Sequence, residues 1–246
     1  MKEKNILAII PARGGSKGIP GKNIKEFAGK PLIVHSIETS LQCPLVNKTV
    51  VSTDDDRIAE ISKAHGAAVI KRPNELATDT SLVIDAIRYT VRKVEEEGED
   101  VDIVILLEPT SPFRRTEDIK KCIQVLLENK ADSAATFTNS NVSPNRLWRI
   151  SDDVVEPYIE GAVPWLPRQK QPGAFELTGQ IYALSKNILY ENEDSISTLL
   201  GRIFPVITPR ETALDIDTEL DFLMAENIMK HFQIKYSEQQ ESVSGK

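Results

Sequence analysis

The chain has little of what redox, disulfide or histidine chemistry needs. Two cysteines in 246 residues, Cys43 and Cys122, fall in segments that read as helices, so no disulfide framework is expected and the cytosol is the default compartment. Only three histidines occur (His35, His65 and His231), and each sits in a helical pattern as a packing or surface residue. Long apolar runs are missing too. Nothing approaches the ~20 residues that span a bilayer, and MKEKN leads into an apolar strand without signal-peptide layout, which excludes membrane partners from the expectation. A basic excess is also lacking: the formal net charge of −7 argues against nucleic-acid binding. At 40% hydrophobic residues the chain can bury the core of one α/β domain.

What is present is local. Residues 12–25 hold Arg13, Lys17, Lys22 and Lys25 with no acid among them. A basic loop on an acidic protein points to a small anionic ligand.

Apolar runs alternate with helical patterns along most of the chain. Strands are expected at Asn5–Pro11, Lys48–Ser52, Ala67–Ile70, Val101–Leu107 and Ser133–Thr138. Helices are expected at about Pro31–Leu41, Ile58–His65, Ser81–Glu97 and Glu117–Asn129. This alternation predicts a doubly wound, mostly parallel α/β sheet, with its ligand crevice beyond the carboxyl ends of the strands. The Gly-rich loop, the Asp54–Asp56 cluster and the PTSP segment at 109–112 all fall at such ends.

From about 139 to 176 the pattern breaks: Trp148, Trp165 and five prolines appear and helical periodicity vanishes, predicting an inserted β-rich arm. Strands resume at about Gly179–Ala183 and Ile203–Ile207, and a helix from Glu219 to Phe232 closes a single domain over 1–235. Residues 236–246 read as a flexible polar tail.

The loop runs PARGGSKGIPGKN from Pro11 to Asn23. Glycines let backbone amides approach a phosphate, and the cations neutralise it. It is neither a P-loop, since Asn23 follows Lys22 and Ser16 replaces a required glycine, nor a G-x-G-x-x-G turn. A bland surface loop is the alternative. Asp215-Ile216-Asp217 places two carboxylates on one face if the segment is extended, an arrangement that suits a hard cation. Asp217 could instead cap the helix that follows.

These motifs taken together resemble the acylneuraminate cytidylyltransferases, enzymes that make CMP-sialic acids and related CMP-nonulosonates. The matching strings, in order, are IIPARGGSKGIPGKN, VSTD at 51–54, RPNELA at 72–77, EPTSPFR at 108–114 and DIDTELD at 215–221. The related CMP-Kdo synthetases share the fold and reaction type but carry a different loop. The resemblance implies transfer of CMP from CTP to the anomeric hydroxyl of a nonulosonic acid, with release of pyrophosphate. It implies that Ala12, Arg13, Gly14, Lys17, Lys22, Asn23, Thr80 and Ser81 bind the nucleotide, and that Asp215 and Asp217 hold Mg²⁺ or Mn²⁺. Arg13, Lys22 and Asp217 would carry catalysis. The sugar would meet Glu108, Thr110, Ser111, Arg146, Arg168, Thr178 and Tyr182, with the arm building a homodimer and its arginines reaching a neighbouring site.

Two positions depart from the family pattern. Glu108 stands where glutamine is usual, and an ionised carboxylate cannot donate a hydrogen bond. Thr178-Gly179-Gln180 stands where Asn-Gly often precedes the Ile-Tyr strand. Both border the sugar site by resemblance, so the sugar is open between N-acetylneuraminate and a legionaminic or pseudaminic acid. A Kdo or sugar-phosphate nucleotidyltransferase of the same fold and a non-catalytic nucleotide-binding regulator are the rival readings.

Overall fold

In the computed structural model, which describes residues 4–191 and 193–244, β1 (Ile6–Pro11) is central to a seven-stranded sheet. Its side chains divide by parity. Ile6, Ala8 and Ile10 face a cluster under α1 (Leu32–Leu41), α2 (Asp56–Ala64) and α4 (Thr116–Glu128), while Leu7 and Ile9 face α3 (Val83–Glu96) and α5 (Lys186–Glu191). A strand buried on both faces needs an unbroken apolar run, which is what the sequence has there.

From β1 the chain passes through a short ribbon, β2 (Glu26–Phe27) and β3 (Lys30–Pro31), then α1. It lays β4 (Lys48–Thr53) and β5 (Ala68–Lys71) outward on one side, then returns through α3 to place β6 (Ile103–Leu106) on the other side of β1. The strand order reverses at β1, so the loops after β1 and β6 diverge and open a crevice between them. Beyond β6 the sheet continues as β10 (Phe175–Ser185), β7 (Ser133–Asn139) and β11 (Ile203–Ile207). β10 alone is antiparallel to its neighbours, so the sheet is mostly parallel as expected. Among the described residues no helix is long and apolar enough to cross a membrane.

The arm leaves at the end of β7 and returns at the start of β10, its two feet paired as Asn139↔Phe175. Between them lies an exposed hairpin, β8 (Trp148–Ser151) and β9 (Val154–Pro157), turned by Asp152 and Asp153 with both residues at positive φ. That is the primed turn a two-residue hairpin prefers.

β10 begins four residues before the expected strand. It carries a bulge at Gly179 (φ 71°), where the register shifts between Leu177↔Phe137 and Tyr182↔Ala135. The helix α5 was not expected, and α6 (Glu219–Ser244) runs past the expected end at Phe232. The helical backbone therefore covers most of the segment read as a tail; residues 245–246 lie outside the described residues. Cys122 is in α4, whereas Cys43 lies just beyond α1; both are buried and free. His35 is a packing residue, its Nε2 donating to the Phe27 carbonyl at 3.0 Å and its ring edge-on to Phe27.

Candidate active site

At the reversal point lies a cleft of about 530 Å³. One wall is the Gly-rich loop, anchored at both ends. The Ala12 amide donates to the Ser52 carbonyl at 2.9 Å, and the buried Asn23 amide donates to the Arg13 carbonyl at 3.0 Å. Gly14 donates its N–H to Asp54 Oδ1 at 3.1 Å and lies so close to Asp55 that a Cβ would sit 2.7 Å from that carboxylate. A Cβ on Gly18 would sit 2.2 Å from the Asp217 carbonyl oxygen. Two of the loop glycines are thus required by close approach.

The loop cations all have acidic partners, supplied from distant parts of the chain. Arg13 pairs with Asp79 at 2.9 Å and donates to the Thr78 carbonyl at 2.8 Å, and Lys17 pairs with the other oxygen of Asp79 at 2.8 Å. Lys22 donates to the Ile216 carbonyl at 2.7 Å and to Asp217 at 3.0 Å. Arg13, Lys17 and Lys22 line the cleft. Lys25 is engaged elsewhere, paired with Glu219 at 2.8 Å and 4.3 Å above the Phe222 ring.

The opposite wall is the turn at 72–83. The Ser81 hydroxyl ties it by donating to the Glu75 carbonyl and accepting from the Thr78 amide, at 2.8 and 2.9 Å. The Thr80 hydroxyl is 3.3 Å from that of Thr78. Arg72 lines the cleft at 8% exposure, and its Nε has no hydrogen-bond partner among the described residues.

The floor is acidic. Ile216 is fully buried in a cluster with Ile19, Phe27, Phe113 and Phe222, so its neighbours Asp215 and Asp217 project the other way, as an extended D-x-D segment requires. Neither caps α6. Thr218 and Asp221 form a reciprocal capping box: the Thr218 amide donates to Asp221 Oδ2 at 2.8 Å, and the Asp221 amide donates to the Thr218 hydroxyl at 3.2 Å. Asp215 is exposed on one side and packed by protein on its others. That desolvation, followed by the neighbouring Asp217 charge, raises its pKa against a lowering hydrogen bond from Thr110.

Glu108, half-buried at the end of β6, is pushed up to about 7 by desolvation first and then by Asp215. Arg114 lies beneath, 4% exposed, donating to the carbonyls of Gln180 and Glu108 at 2.6 and 2.7 Å and to Ser36 Oγ at 2.8 Å. Burial lowers its pKa to about 10, with the charges of Glu108 and Asp215 opposing the shift. Tyr182 stands next to this cluster, its hydroxyl kept neutral by burial and by Glu108.

The neighbouring carboxylates, Asp215 being raised by desolvation first and then by the Asp217 charge, fit a divalent cation of the Mg²⁺ type, which needs one or two carboxylates and completes its shell with other oxygens. No cluster of three or more ligand side chains exists among the described residues.

The structure brings Arg13, Lys17, Lys22, Asn23, Ser81, Glu108, Thr110 and Asp217 to one cleft. Other expected contacts lie elsewhere. The Ala12 and Gly14 amides are already used, one in the sheet and one on Asp54. Ser111 is fully buried, and Thr178 is buried with its hydroxyl 2.6 Å from that of Thr136, inside the β10 bulge. Arg146 and Arg168 line a separate cavity of about 580 Å³ at the base of the arm. Sequence reasoning assigned no role to Arg72, Asp79 or Arg114. Arg72 and Arg114 stood within quoted motifs, but only the fold shows that they are buried beside the cleft; Asp79 carried no signal beyond its charge.

Two outcomes follow from the floor. Asp221→Ala is expected to cost about 1 kcal/mol of stability by loss of the cap, read as a lowered Tm, while Asp217→Asn leaves Tm near that of the wild type. For Glu108, whose folded pKa lies above its ordinary 4.5, folding is favoured at low pH and that contribution is lost as pH rises through about 7. In EDTA, Glu108→Gln should therefore melt above the wild type at about pH 8 and close to it at about pH 4.

Comparison with known proteins agrees with this geometry. The cytidylyltransferase family profile matches residues 7–233. The CMP-N,N'-diacetyllegionaminic acid synthase of Legionella pneumophila is 34% identical over 92% of this chain and 96% of that protein. The N-acylneuraminate cytidylyltransferase of Streptococcus agalactiae is 31% identical over 88% of this chain, which spans about half of that longer protein. A solved CMP:2-keto-3-deoxy-manno-octonic acid synthetase complexed with CTP superposes with a TM-score of 0.69 at 21% identity, covering 93% of this chain and 99% of that one, and so shares the fold. A basic loop facing paired aspartates at the reversal point of the sheet, in a chain matched nearly end to end, makes this protein a member of the cytidylyltransferase family.

Proposed function

We propose that the chain transfers CMP from CTP to the anomeric hydroxyl of a nonulosonic acid, releasing pyrophosphate. The observation that carries this reading is the single cleft in which Arg13, Lys17 and Lys22 face Asp217 across the reversal point. The names of the Legionella and Streptococcus relatives supply the sugar class.

Phosphoryl chemistry asks a protein for positioning and charge more than for a nucleophile. Arg13 and Lys17, at the outer end of the loop, hold the leaving diphosphate. Lys22, held between the Ile216 carbonyl and Asp217, brings its ammonium to where the α-phosphate meets the floor. Arg72, which lines the cleft, adds a cation near the nucleotide. Asp215 and Asp217 would hold a divalent ion, Mg²⁺ or Mn²⁺, which when bound supplies Lewis acidity and a more acidic sugar hydroxyl. Glu108 and Tyr182 form the sugar wall. With its pKa pushed up to about 7, Glu108 accepts hydrogen bonds from the sugar when ionised and donates one when protonated, as the family's usual amide does.

The arm supports a homodimer. Trp165 is 82% exposed and Ile150 71%, with Val154, Val155 and Tyr158 also exposed, an apolar surface of the kind that marks interfaces. The cavity holding Arg146 and Arg168 shares no lining residue with the loop cleft, which supports these arginines serving the sugar carboxylate of a second subunit.

Pyrophosphate release from CTP should require both a nonulosonic acid and Mg²⁺ or Mn²⁺; equal turnover with UTP or with Kdo, or full turnover in EDTA, would refute the assignment. Arg13→Ala, Lys22→Ala and Asp217→Asn should each cut kcat/KM by about 10²-fold, while Lys25→Ala stays within about threefold. In mixtures of Arg168→Ala with Asp217→Asn protein under subunit exchange, activity should reappear, because a mixed dimer has one intact composite site. Absence of any recovery in verified mixed dimers would return Arg168 to its own subunit.

A further inference from the structure

The Arg13–Lys17 pair of cations is bridged by one carboxylate from the opposite wall. Asp79 places one oxygen 2.9 Å from Arg13 and the other 2.8 Å from Lys17, while the same Arg13 nitrogen also holds the Thr78 carbonyl at 2.8 Å. This is how a phosphate group would bridge the two side chains, and Asp79 itself lines the cleft. All three groups are open to water, so each ion pair is weak and quickly broken. Asp79 lies on the turn that carries Ser81 and Arg72, so breaking the bridge removes two of the ties between the walls and leaves the Arg13 bond to the Thr78 carbonyl.

We propose that Asp79 is a positioning residue that acts as a built-in competitor: its carboxylate contends with the substrate's polyphosphate for Arg13 and Lys17, yields to it on binding, and returns to them as pyrophosphate leaves. The inference rests on the reading of the loop as a polyphosphate cradle. Two consequences follow. Affinity for the triphosphate is held below what the loop's charge alone would give, because binding exchanges one set of ion pairs for another. Pyrophosphate, which shares those cations, is held less tightly after the reaction and leaves more readily. The Asp79 carboxyl lies below the usual carboxylate range, through Lys17 first and Arg13 second, so it competes as an anion at neutral pH.

Calorimetric titration of inorganic pyrophosphate into wild type, Asp79→Asn, Asp79→Ser and Asp79→Glu tests the competition without sugar or turnover. Asp79→Asn and Asp79→Ser should bind pyrophosphate about three- to tenfold more tightly, as expected from removing two exposed pairs, and Asp79→Glu should stay near the wild type. In steady state, KM for CTP and the inhibition constant for pyrophosphate should fall by the same factor while KM for the sugar stays put. Unchanged or weaker pyrophosphate binding by both neutral variants would overturn the proposal and make Asp79 an organiser of the loop. CTP turnover by the wild type tests the underlying reading separately, so failure of one is distinguishable from failure of the other.

Discussion

The site depends on the docking of a short C-terminal segment onto the Gly-rich loop. Gly18 lies against the Asp217 carbonyl so closely that no side chain fits between them. Lys22 reaches the Ile216 carbonyl, Lys25 pairs with Glu219, and Ile216 is buried among Ile19, Phe27, Phe113 and Phe222. Residues nearly two hundred positions apart are thereby held in register. The floor follows from that contact: Asp217 is set at the cleft beside the Lys22 ammonium, and the helix start is closed by Thr218 and Asp221 rather than by Asp217.

The floor is arranged as a layered charge stack. Arg114 is buried under Glu108 and Asp215, and its own hydrogen bonds go to neutral acceptors, so its charge is left to stabilise the carboxylates above it. Three acids in one cleft would otherwise repel one another strongly. Even so, desolvation and the Asp215 charge push Glu108 up to about 7, so that it carries only part of its charge at neutral pH.

Much of this was legible in the sequence, because burial on two faces forces unbroken apolar runs and loops at strand ends gather chemistry. β1, β4, β5, β6, β7 and β11 fall where periodicity puts them, as do the cores of α1 to α4. The alternation of burial at Asp215-Ile216-Asp217 was legible too. What escaped has a common cause: it is written in contacts between distant residues. The absence of acids within 12–25 suggested unpaired cations, yet Asp79, Asp217 and Glu219 pair with all four. The buried guanidiniums of Arg72 and Arg114 look like surface charges until the fold encloses them. Thr178 resembles a sugar contact by position, but the bulge turns its hydroxyl inward to Thr136. The helix α5 is only six residues long, too short for periodicity to reveal it.

One continuous strand joins the arm to the Glu108 side of the crevice. β10 starts at the foot of the arm, passes through the bulge at Gly179 and delivers Tyr182 beside Glu108. The bulge lets the strand bend there without breaking the pairing on either side. A displacement of the arm's foot would therefore be felt at Tyr182 along covalent backbone. The foot of the arm and the Tyr182 side of the crevice are thus two ends of one strand, with the bulge between them.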